Sequence, residues 1–526
     1  MVILSEQSKD LPLEQKRRLL MRLLRDQAPA QTADQNSSLP TIVPDPTRRY
    51  EPFPLTEIQQ AYWIGRSAIY ELGDISIHAY VEVEGSTIDL ERLEETWQQI
   101  VVRHDMLRAS VLPDGRQQVL EEVPPYTFQC VDLSKQSAEI VSIKLAAIRE
   151  ELSQQVLNAE VWPGFAIQAS LLEGGRTRIH ISIDLLHIDG GSLMILIDEW
   201  TQLYQDTAAS LPPLELSFRD YVLGGIALQE SEFFQRSLTY WHERVATLPP
   251  APELPMAQRP GTVMHTHFRR RSATLEAKTW QRLKERSIQS GLTPSVVLLT
   301  AYAKILAFWG KDVAFTMNVT LFNRLPLHPQ VNSILGDFSS MILLEVANAP
   351  GESFATRGKK IQKELWASLE HRYVSGIQVQ RELVQVQKKT TGSLMPVVFT
   401  SLLDLTAQGF RPPLSSLHTL GEVVYSVTQT PQVWLDHQVL EEDGMLVLTW
   451  DAVEDIFPAG LLDDMFTAYC QFLQQLVDDE DAWQDHYSIP LPREQQVQRS
   501  RINATDAPIP AETLYTLFLK QAAQHP

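Results

Sequence analysis

The sequence predicts an α/β protein built as two lobes of similar size. Three observations carry that expectation. Strand-like alternation and helix-like periodicity interleave in both halves of the chain. At 526 residues the chain exceeds one ordinary domain. An irregular stretch from Leu211 to Pro260, ending "LPPAPELPMAQRP", separates the two runs and reads as a crossing between lobes.

The elements follow in order. Asp10 can cap a helix with Pro12 in its first turn and a leucine stripe at Leu13, Leu19, Leu20, Leu23 and Leu24, flanked by basic residues. Residues 28–54 are rich in Pro, Ser, Thr, Ala and Gln and read as a linker. In the first lobe, alternation at Ile75, Ile77, Ala79, Val81 and Val83 predicts a strand, and Asp89 caps a helix bearing Leu93, Trp97 and Ile100. "RASVLPDGRQQVL" predicts a hairpin about Asp114-Gly115. "FAIQASLLEGGRTRIHISIDLL" predicts a second hairpin, with Ile179, Ile181, Ile183 and Leu185 on one face of its second strand. The other face then holds Arg178, His180, Ser182 and Asp184, and "GGSLMILIDEWTQLY" follows as a helix.

The second lobe repeats the rhythm. "HTHFRRRSATL" reads as strand, "EAKTWQRLKERSIQSG" as helix, "TPSVVLLTAYAKILAFWG" as a buried helix and "VAFTMNVTLFN" as strand. "MPVVFTSLL", "TPQVWLDHQVLEE" and "MLVLTWDAV" are late strands, the last two joined at Asp443-Gly444, and a helix from about Ala459 closes the lobe.

The totals exclude several classes. The net charge is −20, from 45 basic and 65 acidic side chains, which argues against a nucleic-acid binder. Two cysteines, Cys130 and Cys470, make no disulfide framework or metal pattern. "PSVVLLTAYAKILAFW" is too short to span a bilayer comfortably and contains Lys304, so no membrane span is expected. "MVILSEQSKD" lacks a signal-peptide pattern, and the expected location is cytoplasmic.

One short stretch concentrates chemistry: "SIDLLHIDGGS", Ser182 to Ser192. A metal could use Asp184, His187 and Asp189, but their directions diverge from a strand entering a turn, and no second cluster matches; no metal is expected. The two carboxylates could instead act as acid and base, if their environments separate their proton affinities. A third reading is architectural. Asp189 or Ser192 stands where a helix N-cap is wanted, and glycines 190 and 191 permit the turn. Asp184 would then need a buried partner, such as an arginine of "RHDMLR".

Seven stretches together carry a more specific signal. They are "FPLTEIQQAYWIGR" (53–66), "RHDMLR" (103–108), "DLLHIDGGS" (184–192), "LTPSVVLLTAYAKILAFWG" (292–310), "FTMNVTLFNRLPLHPQVNSILGDFSS" (315–340), "PVVFTS" (396–401) and "TQTPQVWLDHQVLEEDG" (428–444). In order and spacing the chain resembles, over about residues 50 to 485, the heterocyclization domain of non-ribosomal peptide synthetases, a branch of the condensation-domain family. The resemblance implies a chloramphenicol-acetyltransferase-like pseudodimer with a tunnel between its lobes. Ordinary condensation domains carry HHxxxDG where this chain has Asp184, Leu185 and Asp189, the DxxxxDxxS form that ends at Ser192. Leu185, expected on the core side, cannot move a proton, and His187 aligns with neither family histidine.

The resemblance also implies a reaction and its residues. An acyl thioester on an upstream carrier protein is attacked by the amine of Cys, Ser or Thr on a downstream carrier. The side chain then attacks the new amide, and loss of water leaves a thiazoline or oxazoline. Asp436 and Thr400 match the pair taken to act in cyclodehydration, and a carboxyl in a closed tunnel has its proton affinity raised by desolvation. Strand alternation groups Asp436 with Trp434 and Gln438. Asn318, Gln429 and Ser401 are second-tier candidates for hydrogen bonds to substrate, and Asp184, Asp189 and Ser192 a structural motif.

No directly bound cofactor is expected; substrates arrive on the phosphopantetheine of partner carriers. The reading divides the chain into a linker or docking helix with its linker (1–49), a first lobe (50–225), a second lobe (226–490) and a linker with the start of a truncated adenylation domain (491–526). The donor carrier can then belong to another polypeptide, docked through the first helix. Two other readings keep the same fold: a condensation-only acyltransferase, and a non-catalytic carrier-docking module.

Overall fold

The structure is a computed structural model that describes residues 39–67, 70–263, 266–347, 349, 351–387, 394–403, 405, 408, 410–484, 489–506 and 513–525. The proposed docking helix at 10–27 lies outside the described residues. In the first half the strands are β1 (Phe53–Pro54), β2 (His78–Ser86), β3 (Ala109–Val111), β4 (Arg116–Val119), β5 (Gln129–Asp132), β6 (Phe165–Leu171) and β7 (Arg176–Asp184). In the second they are β8 (Phe268–Leu275), β9 (Ala314–Phe322), β10 (Ser339–Ala347), β11 (Val397–Ser401), β12 (Glu422–Gln429), β13 (Leu435–Glu442) and β14 (Met445–Val453).

These strands form two large sheets, ordered β12-β2-β7-β6-β5 and β10-β9-β11-β13-β14-β8, and a small one, β1-β4-β3. The two-lobed α/β expectation holds. Strand β12, which alternation alone did not single out, comes from the second half of the chain and pairs antiparallel with β2 in the first sheet, Val427 opposite Tyr80 and Gln429 opposite His78. The first sheet therefore takes a strand from the stretch 226–490.

Each sheet has its own core. Under the first, helices Leu90–Arg103 and Gly190–Gln205 bring Trp97 and Trp200 edge-on at 4.7 Å, with Phe165 at 5.0 Å from Trp97. Rings of this size, fully removed from water, contribute roughly 1.5–3 kcal/mol each. The second core is threaded by helix Pro294–Trp309, capped by Thr293 with Pro294 in its first turn. Its Tyr302 packs against His437, Trp450 and Tyr469.

No single helix among the described residues is long and apolar enough to cross a membrane. Helices Ala277–Gln289 and Pro294–Trp309 reach that length only together, across a 94° bend, and the second is buried in the core just described.

The stretch 211–260, expected to be irregular, contains two helices, Phe218–Ala227 and Glu232–Arg244. Their start signals were present. Ser217 and Asp220 form a reciprocal capping box, and the Ser231 side chain accepts from the Phe234 amide. The proline-rich run beyond them is the competing loop signal.

Candidate active site

A cavity of about 1290 Å³ lies between the two large sheets and takes lining residues from both. One wall is the open face of the second sheet, and strand register explains its polarity. A row across five strands reads Asn318, Val398, Asp436, Asp451, Arg270. The next row reads Thr320, Thr400, Gln438, Thr449, Ser272. Both rows point away from the core that buries Leu435, His437 and Val439, because side chains alternate along each strand.

Asp436 is the centre of this wall. Gln438 Nε2 donates to its Oδ2 at 2.7 Å, and the Thr400 hydroxyl donates to its Oδ1 at 3.3 Å. Thr400 is also 3.0 Å from the Thr320 hydroxyl. Desolvation is the largest influence on the carboxyl and pushes its pKa up to about 6. The bond from Gln438 opposes that rise, the charge of Asp451 adds to it, and Thr400 and Arg270 oppose it. A group at that value exchanges protons near neutrality, the condition for general acid–base work. Alternation predicts Trp434 beside Asp436, and the structure does not place it there. The strand begins at Leu435, after Gln432 at φ 62°, and Trp434 packs against the second core.

The second-tier residues separate. Asn318 lines the cavity, but its amide is committed: Nδ2 donates to Met395 O at 2.8 Å, and Oδ1 accepts from Gln380 at 3.2 Å. Gln429 lines the cavity and donates to the Ser153 carbonyl. Ser401 is not brought to this group; it meets Ser295 of helix Pro294–Trp309 at 3.0 Å, one position out of phase with Thr400.

The stretch 182–192 is tied into the architecture. Asp184 forms a two-point ion pair at 3.1 Å, not with "RHDMLR" but with Arg66, at the C-terminal end of helix Glu57–Gly65. Arg103 is taken by Glu199 and Arg108 by Asp105, which leaves neither for Asp184. Burial still holds the Asp184 carboxyl above the usual range, with Arg66 pulling it back. Asp189, rather than Ser192, is the N-cap: it accepts from the Ser192 amide at 2.6 Å and from Arg324 at 3.1 Å. The Ser192 hydroxyl donates to Gly336 O at 2.7 Å and accepts from the Gly336 amide at 3.0 Å. His187 is buried against Gln117, and burial lowers its pKa to about 3, so it stays neutral. Leu185 borders the cavity instead of turning wholly to the core. The position opposite the Asp436 wall is thus apolar.

Sequence reasoning missed Arg270, Asp451 and Thr428. Arg270 and Asp451 form an ion pair at the cavity wall, with Nε to Oδ1 at 2.8 Å, and Thr428 Oγ1 donates to Asp451 Oδ2 at 2.5 Å. Local pattern offers one hint: Asp451 in "LTWDAV" is the one charged residue of an otherwise uncharged strand.

With the geometry in hand, comparison with known proteins is decisive about kinship. The Condensation domain family matches residues 51–498. Pyochelin synthetase PchE of Pseudomonas aeruginosa is 35% identical over 495 residues, covering 94% of this chain and 34% of that protein. Phenyloxazoline synthase MbtB of Mycolicibacterium paratuberculosis is 34% identical over 487 residues, covering 92% of this chain and 41% of that protein. The EpoB cyclization-docking bidomain of Sorangium cellulosum superposes with a TM-score of 0.79 at 42% identity, covering 88% of this chain and 91% of that one. The chain belongs to the condensation-domain family, in the heterocyclization branch of non-ribosomal peptide synthetases. Its fold is the two-lobed chloramphenicol-acetyltransferase-like one, and it spans well under half the length of those two curated relatives.

Proposed function

We propose that this chain joins a carrier-bound acyl or peptidyl thioester to a carrier-bound Cys, Ser or Thr and then closes the product to a thiazoline or oxazoline. The observation that carries the reading is Asp436: a carboxyl facing the cavity, held by Thr400 and Gln438, with a pKa pushed up to about 6. The name of one relative contains the word phenyloxazoline, and the 42% identical neighbour is described as a cyclization domain.

The chemistry divides naturally. Amide formation needs the amine and thioester brought together, and positioning alone supplies a large part of such a barrier. A cavity of about 1290 Å³ exceeds what one small ligand needs and suits two tethered substrates on phosphopantetheine arms. Ring closure needs proton movement. The Asp436 carboxylate takes the proton from the attacking thiol or hydroxyl. It delivers that proton to the former carbonyl oxygen, which becomes the hydroxyl of a tetrahedral intermediate. The nitrogen's proton, relayed by the same carboxyl, is the second that this hydroxyl takes as it leaves as water, and the nitrogen lone pair completes the C=N bond. One carboxyl near pKa 6 can take both parts near neutral pH. Thr400 orients it.

Leu185, where ordinary condensation domains hold a histidine, offers no proton. This supports assigning the dehydration to Asp436 and weighs against the condensation-only alternative. Asp184, Asp189 and Ser192 serve architecture in this reading. The partners are an upstream donor carrier, a downstream acceptor carrier and an adjoining adenylation domain, in keeping with the multidomain synthetases of this family.

Mass analysis of the tethered product tests the proposal. With acyl-loaded donor and cysteinyl-loaded acceptor carriers, the wild type should give amide minus water. Asp436→Asn should stop at the amide. Normal ring closure by that variant would overturn the assignment, amide alone from the wild type would favour the condensation-only reading, and no turnover would favour the docking module. Serine- and threonine-loaded acceptors extend the same assay to the choice of ring.

A further inference from the structure

Behind Asp436 runs a chain of hydrogen bonds that the reaction above does not use. Arg270 of β8 and Asp451 of β14 face each other in register. The guanidinium meets the carboxylate through two donors, Nε to Oδ1 at 2.8 Å and Nη2 to Oδ2. Arg270 also donates from Nη1 to Ser426 Oγ at 2.8 Å and from Nη2 to Thr428 Oγ1 at 3.3 Å. Both hydroxyls belong to β12, the strand that sits in the other sheet.

From there the path returns to the cavity. Thr428 Oγ1 donates to Asp451 Oδ2 at 2.5 Å and accepts from Gln438 Nε2 at 2.9 Å. The second amide proton of Gln438 goes to Asp436 Oδ2 at 2.7 Å. Every proton on this path is used once: two from Gln438, one from Thr428. The direction of each bond is therefore fixed by its neighbours.

We propose that Arg270 and Asp451 are positioning residues for Asp436: they anchor the crossing strand β12 to the second sheet and, through Thr428 and Gln438, fix the carboxyl that faces the cavity. The proposal rests on the reading of Asp436 given above. Its electrostatic consequence has a definite sign. Asp451 lies directly across from Asp436, so its negative charge favours a proton on Asp436, and Arg270 opposes it. The phenols of Tyr62, from helix Glu57–Gly65, and Tyr302, from helix Pro294–Trp309, also interact with Asp436; burial pushes both well above their ordinary value, and they stay neutral. Neutralising one member of the pair exposes the other. Asp451→Asn must lower the Asp436 midpoint and Arg270→Gln must raise it.

The test has two readouts on the whole chain. The first is the carboxyl titration by ¹³C NMR of aspartate-labelled protein, with the Asp436 signal assigned by its loss in Asp436→Asn. The expected shifts are about one pH unit, downward for Asp451→Asn and upward for Arg270→Gln. The second is ring closure against amide formation with cysteinyl-loaded acceptor carrier. Its pH profile should follow the NMR midpoint, while amide formation stays within about twofold. Thr428→Val, which breaks the path without changing charge, should slow ring closure about tenfold with the midpoint in place. Unmoved midpoints, or shifts of the same sign, overturn the proposal. Opposite shifts with Asp436→Asn still closing rings support the electrostatic pairing and overturn the reading of Asp436 instead.

Discussion

Asp436 and Asp451 face each other across adjacent antiparallel strands, yet only Asp451 has an arginine closed upon it. The asymmetry leaves Asp436 without a cation of its own and inclined to hold a proton. It has a measurable effect on stability. The folded-state pKa of Asp436 is raised to about 6, against an ordinary value near 4.

As pH rises through that window the unfolded chain sheds its proton first, and the folded state loses ground until the pH passes 6. Asp436→Asn removes this loss. The variant should match the wild type below pH 4 and exceed it by about 1–2 kcal/mol at pH 8. That is less than the roughly 3 kcal/mol of the full shift, because the cavity admits water to the carboxyl. Urea unfolding at the two pH values checks it. Equal stability at pH 8 would mean that Asp436 ionises as a surface carboxylate does.

Thr400 is placed to aim Asp436, at 3.3 Å from Oδ1. Thr400→Val keeps the shape and removes the hydroxyl. Ring closure should fall by about 10–100-fold, the cost of one hydrogen bond to a reacting carboxyl. Amide formation should persist, and Thr400→Ser should restore most of the rate. Single-turnover mass analysis separates the two steps; a parallel loss of both would assign Thr400 to substrate binding.

How much of this was legible in the sequence depends on the range of the interaction. Asp436 and Thr400 are named from motif position and Gln438 is grouped with Asp436 by alternation, and the structure brings the three side chains together because both signals are local. The partner of Asp184 was sought at 103–108 and found at Arg66, since nothing local says which of several arginines a fold brings near. Strand β12 has alternate side chains half-exposed and a bulge between Val423 and Tyr425, so its pattern was weak. The Arg270–Asp451–Thr428 group joins three strands and two sheets, and only tertiary register assembles it. Helices Phe218–Ala227 and Glu232–Arg244 differ in kind: their caps are readable locally, but the proline-rich run that follows carries the opposite signal.

Arg66 and Asp184 make a buried two-point pair, and removing one partner strands the other. Arg66→Met should destabilise the protein by about 3–5 kcal/mol at pH 8. The loss should be smaller at pH 5, where Asp184 can take a proton. The double variant Arg66→Met with Asp184→Leu should recover much of the difference, because no charge is then left unpaired. Additive losses in chemical denaturation would mean that the pair serves as two independent packing contacts.

Gly336 allows the loop after β9 to close on the first core. A methyl at this position would meet the Phe218 ring at 2.1 Å, inside any tolerable contact. Phe218 cannot easily yield, being edge-on to Phe53 at 6.3 Å and to Phe338 at 5.1 Å, and fully buried. The backbone of Gly336 is also held at both N–H and C=O by Ser192. Gly336→Ala must therefore displace either the ring or the Ser192 bonds, at a cost of about 1–3 kcal/mol for the overpacking alone. Adding Phe218→Leu makes room for the methyl, so the double variant should be less destabilised than the sum of the singles. Urea denaturation of the four proteins gives the coupling directly. Strict additivity would mean that the loop relaxes away from Phe218, and that Ser192, not the close approach at Gly336, holds it to the first lobe.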